Sequence, residues 1–117
     1  TYPPGSIIYV EAGGGASYDI DITCPAPTEG VNYTWICTGT SHGSSYVAFT
    51  GSAGNLAGIF VGKGAEDDTW TTSASRTIEW ADGAFGQGTR LRMESDGNNW
   101  YFSGLLTCST GSIGSTG

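Results

Sequence analysis

The chain has 117 residues, enough for one domain with a single hydrophobic core. It carries four Lys and Arg against eleven Asp and Glu, for a formal net charge of −7. That balance speaks against nucleic acid and anionic membranes as partners, because both need clustered cations, and it favours solubility through mutual repulsion.

Thr1 to Gly5 reads as a proline-containing N-terminal arm, and Ser6 to Ala12 as a first strand ended by Gly13-Gly14-Gly15. A chain beginning at Thr1 fits removal of an initiator Met, and fits a trimmed fragment equally well. From Ser17 to Cys24, Tyr18, Ile20, Ile22 and Cys24 face one way and Ser17, Asp19, Asp21 and Thr23 the other. Pro25 and Pro27 end that strand, since proline cannot donate to a ladder. Val31, Tyr33, Trp35 and Cys37 share a face of the next one, and a turn region follows at Gly39 to Ser44. Ser45 to Gly51 predicts a strand with Val47 and Phe49 on one side and Tyr46 on the other. Asn55 to Lys63 is a glycine-interrupted strand, and Gly64 to Asp68 an acidic loop. Short strands are predicted around Trp70 to Thr72 and from Ser75 to Ala81. A glycine-punctuated loop at Asp82 to Gly88 leads into the clearest element of all.

That element is a hairpin. Leu91 and Met93 alternate with Arg90, Arg92 and Glu94, which is the period of a strand with one wet face. Asp96-Gly97-Asn98 can supply the positive φ angles of a tight turn, and Trp100, Tyr101 and Phe102 favour an extended return strand. Beyond Ser109 the sequence reads as a polar Gly/Ser-rich tail, residues 110–117, whose only large apolar residue is Ile113. Many short strands at this spacing predict a single all-β domain over residues 1–117, an antiparallel sandwich or barrel of jelly-roll-like type.

Leu, Ile, Val and Phe total only 20 residues, a content that together with high charge suggests disorder. Four Trp and six Tyr oppose it, because each ring buries a large area. The expectation is a folded domain with a thin, aromatic-weighted core. No apolar run approaches the length of a membrane span; Ile7-Ile8-Tyr9-Val10 is among the longest. Cys24, Cys37 and Cys108 show no metal-ligand spacing. They read as buried reduced thiols, with a Cys24–Cys37 bridge between neighbouring strands as the rival.

The candidate chemistry is sparse. Asp19 and Asp21 share one strand face, and Glu66-Asp67-Asp68 offers three consecutive carboxylates for a cation. A solvent-facing strand and a solvated loop are the plainer readings, since the alternating ligands and glycine of an EF-hand are missing. Asp96-Gly97-Asn98 resembles a calcium-loop fragment, but a hairpin turn explains it. His42, the only histidine, sits in a Gly/Ser-rich turn with no nucleophile elbow nearby. No phosphate-binding loop is present, and no enzyme or cofactor is expected. Tyr46 and Trp70 are candidate exposed aromatics for stacking on sugar rings, unless they fill the core or an interface.

The run Ser95-Asp96-Gly97-Asn98-Asn99-Trp100-Tyr101 with a closing Gly104 resembles the last hairpin of small β domains in bacteriophage virions. These are domains of tail fibres, head fibres and capsid decoration proteins. Tyr18 to Pro27 is similar to the family's strand with a proline-containing turn, and Gly30 to Ile36 to its following aromatic strand. The resemblance implies a non-enzymatic virion protein made in the bacterial cytoplasm, and homotrimers. A stand-alone chain of this length fits a capsid decoration (cement) protein that stabilises the outer capsid surface by binding the major capsid protein. The alternative is a carbohydrate- or receptor-binding domain of a head or tail fibre. At least one chain end is expected on a neighbouring subunit or the capsid surface, the N-terminal arm being the better anchor, with Tyr2, Pro3, Pro4 and Ile113 as the candidate contact residues.

Overall fold

The structure is a computed structural model and describes residues 2–10, 20–38, 47–51, 54–62, 69–80, 87–107 and 113–116. Ten strands account for most of them, and no described residue is helical. In chain order they are β1 (Ile7–Val10), β2 (Ile20–Thr23), β3 (Asn32–Cys37), β4 (Val47–Thr50) and β5 (Leu56–Val61). Then come β6 (Thr69–Ser75), β7 (Thr77–Trp80), β8 (Arg90–Ser95), β9 (Trp100–Leu105) and β10 (Ile113–Thr116). They form a six-stranded sheet in the order β1-β3-β8-β9-β5-β6 and a four-stranded sheet in the order β10-β7-β4-β2. The sheets pack face to face and stay open, so the expected all-β fold is a sandwich and not a closed barrel.

The pairing is mixed where the reading from sequence had only antiparallel neighbours. β1–β3, β2–β4 and β5–β9 are parallel ladders. The cause is the order of the strands. From β1 to β4 the chain steps to the opposite sheet at every strand, so it returns to each sheet running in its former direction. Parallel strands need such crossovers, whereas hairpins force antiparallel pairing.

Strict alternation puts an apolar face between the sheets. β8 buries Leu91, Met93 and Ser95 and exposes Arg90, Arg92 and Glu94. β3 buries Tyr33, Trp35 and Cys37. The core is as rich in aromatics as the composition implies. Phe49 of β4, wholly buried, is met edge-on by Trp35 at 5.2 Å, Phe102 at 5.3 Å and Trp80 at 5.8 Å. Phe60 meets Trp80 in the same way at 5.2 Å. Edge-to-face rings at these separations add roughly 0.5–1.5 kcal/mol per pair beyond their buried area.

The β8–β9 hairpin turns through residues 96–99, with Ser95 opposite Trp100. Only Gly97 in that turn takes a positive φ, 97°. The Asp96 carboxylate organises the rest. Its Oδ1 accepts from the backbone N–H groups of Asn98 and Asn99, both at 2.9 Å, and its Oδ2 accepts from the Tyr101 hydroxyl at 3.0 Å. These donors, Asn99 first, hold the carboxyl below its ordinary value of 3.8. A depressed acid stabilises the fold above its unfolded pKa and loses that contribution as pH falls through the folded value. Titration of Asp96 followed by NMR is expected to give a midpoint below 3.8, and Tyr101→Phe to raise it. An Asp96 midpoint at the unfolded value defeats this account.

The C-terminal tail departs from expectation. Residues 113–116, read from sequence as part of a polar Gly/Ser-rich tail, form β10 and pair with β7. Ile113 is 9% exposed and joins the core, so it is removed from the candidate partner contacts: burial in its own sandwich satisfies its apolar surface. The N-terminal arm also folds back. Gly5 N–H donates to the Asn32 carbonyl at 2.7 Å, Tyr33 Oη–H donates to the Tyr2 carbonyl at 3.0 Å, and the Tyr2 ring meets Trp35 edge-on at 6.3 Å. Pro3 and Pro4 remain exposed.

Cys24 and Cys37 do not bridge one another. Cys24 follows β2 in the four-stranded sheet, where its N–H donates to the Thr50 carbonyl, while Cys37 ends β3 in the other sheet. Cys108 lies outside the described residues. Burial pushes the Cys24 thiol up to about 12 from 9.0. Stability linked to the protonated thiol therefore holds below pH 9.0 and declines as pH rises from there toward 12. Iodoacetamide at pH 7.5 is expected to spare Cys24 in the native protein and to modify it once the chain is unfolded, as read by peptide mass. Equal rates in the two states contradict the burial.

Candidate interaction face

Strand pairing places outward side chains side by side across the six-stranded sheet, and two rows result. One runs Tyr9, Ile36, Arg90, Leu105, Val61, Thr69, and the next runs Ile7, Thr34, Arg92, Ser103, Ile59, Thr71. A third, shorter row holds Asn32, Glu94, Tyr101 and Ala57. At about 4.8 Å between strands, the six strands present a surface roughly 24 Å wide.

This face holds six of the seven large apolar side chains exposed among the described residues: Ile7, Tyr9, Ile59, Val61, Tyr101 and Leu105. Tyr9 and Leu105 are 66% and 65% exposed. Scattered exposed apolar residues need no explanation, but their concentration on one face does, because soluble monomers rarely expose such patches without a partner.

Arg90 and Arg92 stand in the middle of these rows, two of the chain's four cationic side chains. Arg92 Nε lies 3.6 Å from Glu94 Oε1, an exposed pair worth little in isolation. Among the described residues Arg90 makes no ion pair. Its aliphatic stem lies between Ile36 and Leu105 in the row and extends the apolar surface, leaving the guanidinium free for a carboxylate from outside. A shallow depression lined by Ile59, Val61, Arg90, Arg92, Ser103, Gly104 and Leu105 occupies the centre. Such a face can bury apolar area and pair charges; it holds no arrangement of nucleophile, base or metal ligands.

The residues singled out from sequence are elsewhere. Asp21 is exposed on β2, as expected for the wet side of a half-buried strand. Asp19, His42, Tyr46 and Glu66-Asp67-Asp68 lie outside the described residues. No three metal-ligating side chains cluster among the described residues. Trp70 is half-buried and packs on Phe60 at 5.8 Å with rings 30° apart, so its inner side serves the core. Pro3 and Pro4 are exposed, and the Pro3 carbonyl accepts from the Ser6 N–H and hydroxyl. The face itself was overlooked, although one signal for it was available. Ile7-Ile8-Tyr9-Val10 and Ile59-Phe60-Val61 are apolar at consecutive positions, which on a strand means apolar side chains on both faces.

No family model, curated protein or solved structure matches the chain.

Proposed function

We propose that this chain is a non-enzymatic structural module of a bacteriophage virion, a capsid decoration protein that clamps the outer surface of the shell. The observation that carries the reading is the gathering of six exposed apolar side chains and two arginines on one sheet face of a protein with net charge −7. A rigid sheet has little entropy to lose on docking, so its apolar area is available for binding. Contact made only with the assembled shell stabilises that shell by linkage. The hairpin's resemblance to virion β domains supplies the major capsid protein as partner and the homotrimer as the assembly. The sugar-binding alternative would draw on Trp70, whose inner side is engaged with Phe60.

The test is co-sedimentation with intact capsids and, separately, with host cell envelopes. The wild-type chain is expected to pellet with capsids alone. Val61→Lys/Leu105→Lys, which changes only exposed positions, is expected to lower capsid occupancy at least tenfold while leaving the circular dichroism spectrum unchanged. Pelleting with envelopes and not capsids overturns the reading. Full occupancy by the double variant overturns the choice of face.

A further inference from the structure

The depression at the centre of the outer face has two unlike walls. Across β9, Ser103 stands between Arg92 of β8 and Ile59 of β5, and Leu105 between Arg90 and Val61. Two strand spacings, about 10 Å, separate the flanking side chains. Ser103 is short, and Gly104 beside it offers backbone alone, since a Cβ there would run inward into Leu91. The floor is therefore low between taller neighbours, and the space it leaves is ≈360 Å³. Arg90 and Arg92 make one wall cationic, Ile59 and Val61 make the opposite wall aliphatic, and Leu105 closes one end.

Three observations restrict the guest. The chain carries eleven Asp and Glu against four Lys and Arg, yet among the described residues Arg90 takes none of them as an ion-pair partner. Arg92 meets Glu94 at 3.6 Å through Nε, and a guanidinium has five N–H donors, so that contact does not exhaust it. A carboxylate suits this wall, because guanidinium groups fork onto its two oxygens. A nucleic-acid phosphate does not, since it needs clustered cations and this chain stands at −7. The aliphatic wall sets the last condition: the carboxylate must arrive on an apolar stem, or Ile59 and Val61 stay in water.

We propose that this depression takes one glutamate side chain of the docking protein. Its methylenes lie against Ile59, Val61 and Leu105, and its carboxylate accepts from Arg90 and Arg92. The docked surface excludes water from the ion pair, which strengthens it over an exposed one. Aspartate, one methylene shorter, covers less of the aliphatic wall for the same pair. The identity of the docking protein rests on the capsid reading; the preference for glutamate rests on the depression alone.

One measurement uses capsids and a second does without them. In co-sedimentation, Arg90→Gln/Arg92→Gln is expected to lower the affinity for intact capsids at least tenfold. Arg76→Gln removes a cation between β6 and β7, outside the face, and is expected to stay within twofold of the parent. Equal losses in the two variants, or full affinity in the double variant, overturn the proposal. A wild-type chain that ignores capsids sinks the capsid reading, and the second measurement then decides. It is an NMR titration of the ¹⁵N,¹³C-labelled full chain, read at the Arg90 and Arg92 Nε–H and the Val61 and Leu105 methyl signals. The probes are N-acetylglutamate α-amide, N-acetylglutamine amide, and N-acetylvaline, whose only carboxylate is terminal. The glutamate probe is expected to shift all four groups saturably and to bind at least tenfold more tightly than the other two. No shift up to its solubility limit, equal binding of the glutamine probe, or an equal shift at Arg76 Nε–H overturns the site. N-acetylvaline binding as tightly as the glutamate probe defeats the choice of a side chain over a chain end.

Discussion

Trp100→Ala is expected to destabilise the domain by about 3–5 kcal/mol, the usual cost of removing a large buried aromatic. Trp100 is wholly buried and opens β9 directly after the turn. Its ring lies 6.0 Å from that of Tyr33, and its Nε1–H donates to the Pro25 carbonyl at 2.8 Å. One side chain thus ties the hairpin to β3 and to the proline-containing turn after β2. Truncation leaves a cavity and an unpaired carbonyl together. A domain of this size has about 5–15 kcal/mol in total, so the melting temperature should fall by on the order of 10–25 °C. Trp100→Phe keeps most of the packing and removes the bond to Pro25, for a smaller loss of about 1–2 kcal/mol. Thermal denaturation of both variants separates the contributions. An unchanged melting temperature for Trp100→Ala is incompatible with an anchoring role.

The second large effect concerns a glycine. A Cβ on Gly104 would lie 2.5 Å from Leu91 Cδ2 and 2.7 Å from the Arg90 carbonyl oxygen. Leu91 is wholly buried and has no room to retreat, and the carbonyl belongs to the backbone of the paired strand. Gly104→Ala must therefore push β8 and β9 apart, at a cost of about 1–3 kcal/mol, and Gly104→Val must cost more. Gly114→Ala is the control: its Cβ would meet nothing within 4 Å on exposed β10, and stability should stay within about 0.5 kcal/mol of the parent. The ladder that Gly104 keeps closed also aligns Arg90 with Leu105 on the outer face. If the proposed capsid reading holds, Gly104→Ala should weaken capsid occupancy by more than its stability loss alone explains. Equal melting temperatures for the Gly104 and Gly114 variants sink the close-approach argument.

Legibility from sequence varied with the range of the interactions involved. The β8–β9 hairpin was readable because alternation, turn residues and the return strand are all local. β3 was readable for the same reason, since Tyr33, Trp35 and Cys37 alternate with half-buried neighbours. Ile113 was not, because one apolar residue among Gly, Ser and Thr has no period, and only the unpaired edge of β7 makes a strand of it. The parallel ladders were hidden because pairing direction depends on which sheet each strand joins, a choice no short window contains. The outer face escaped notice for a related reason. Ile7, Ile59 and Leu105 come from three distant strands, and their proximity exists only once β1, β5 and β9 share a sheet.

The crossing of the chain between sheets bears on how the domain reaches its native state. Among the described strands, β5–β6 and β8–β9 are the pairs that join successive strands within one sheet and so can form as local hairpins. The β5–β9 ladder aligns Leu56 with Trp100, and must wait for two hairpins that are far apart in the chain to meet. β1 and β2 lack a local hairpin as well, because each is held by a parallel neighbour that arrives after an excursion through the opposite sheet. Such topology raises contact order, and all-β domains with non-local pairing fold in milliseconds to seconds, whereas helical bundles need microseconds to milliseconds. Through that interval Ile59, Val61 and Leu105 are exposed on strands that each still have one unpaired edge. The newly made chain is therefore most vulnerable to aggregation before β9 docks on β5.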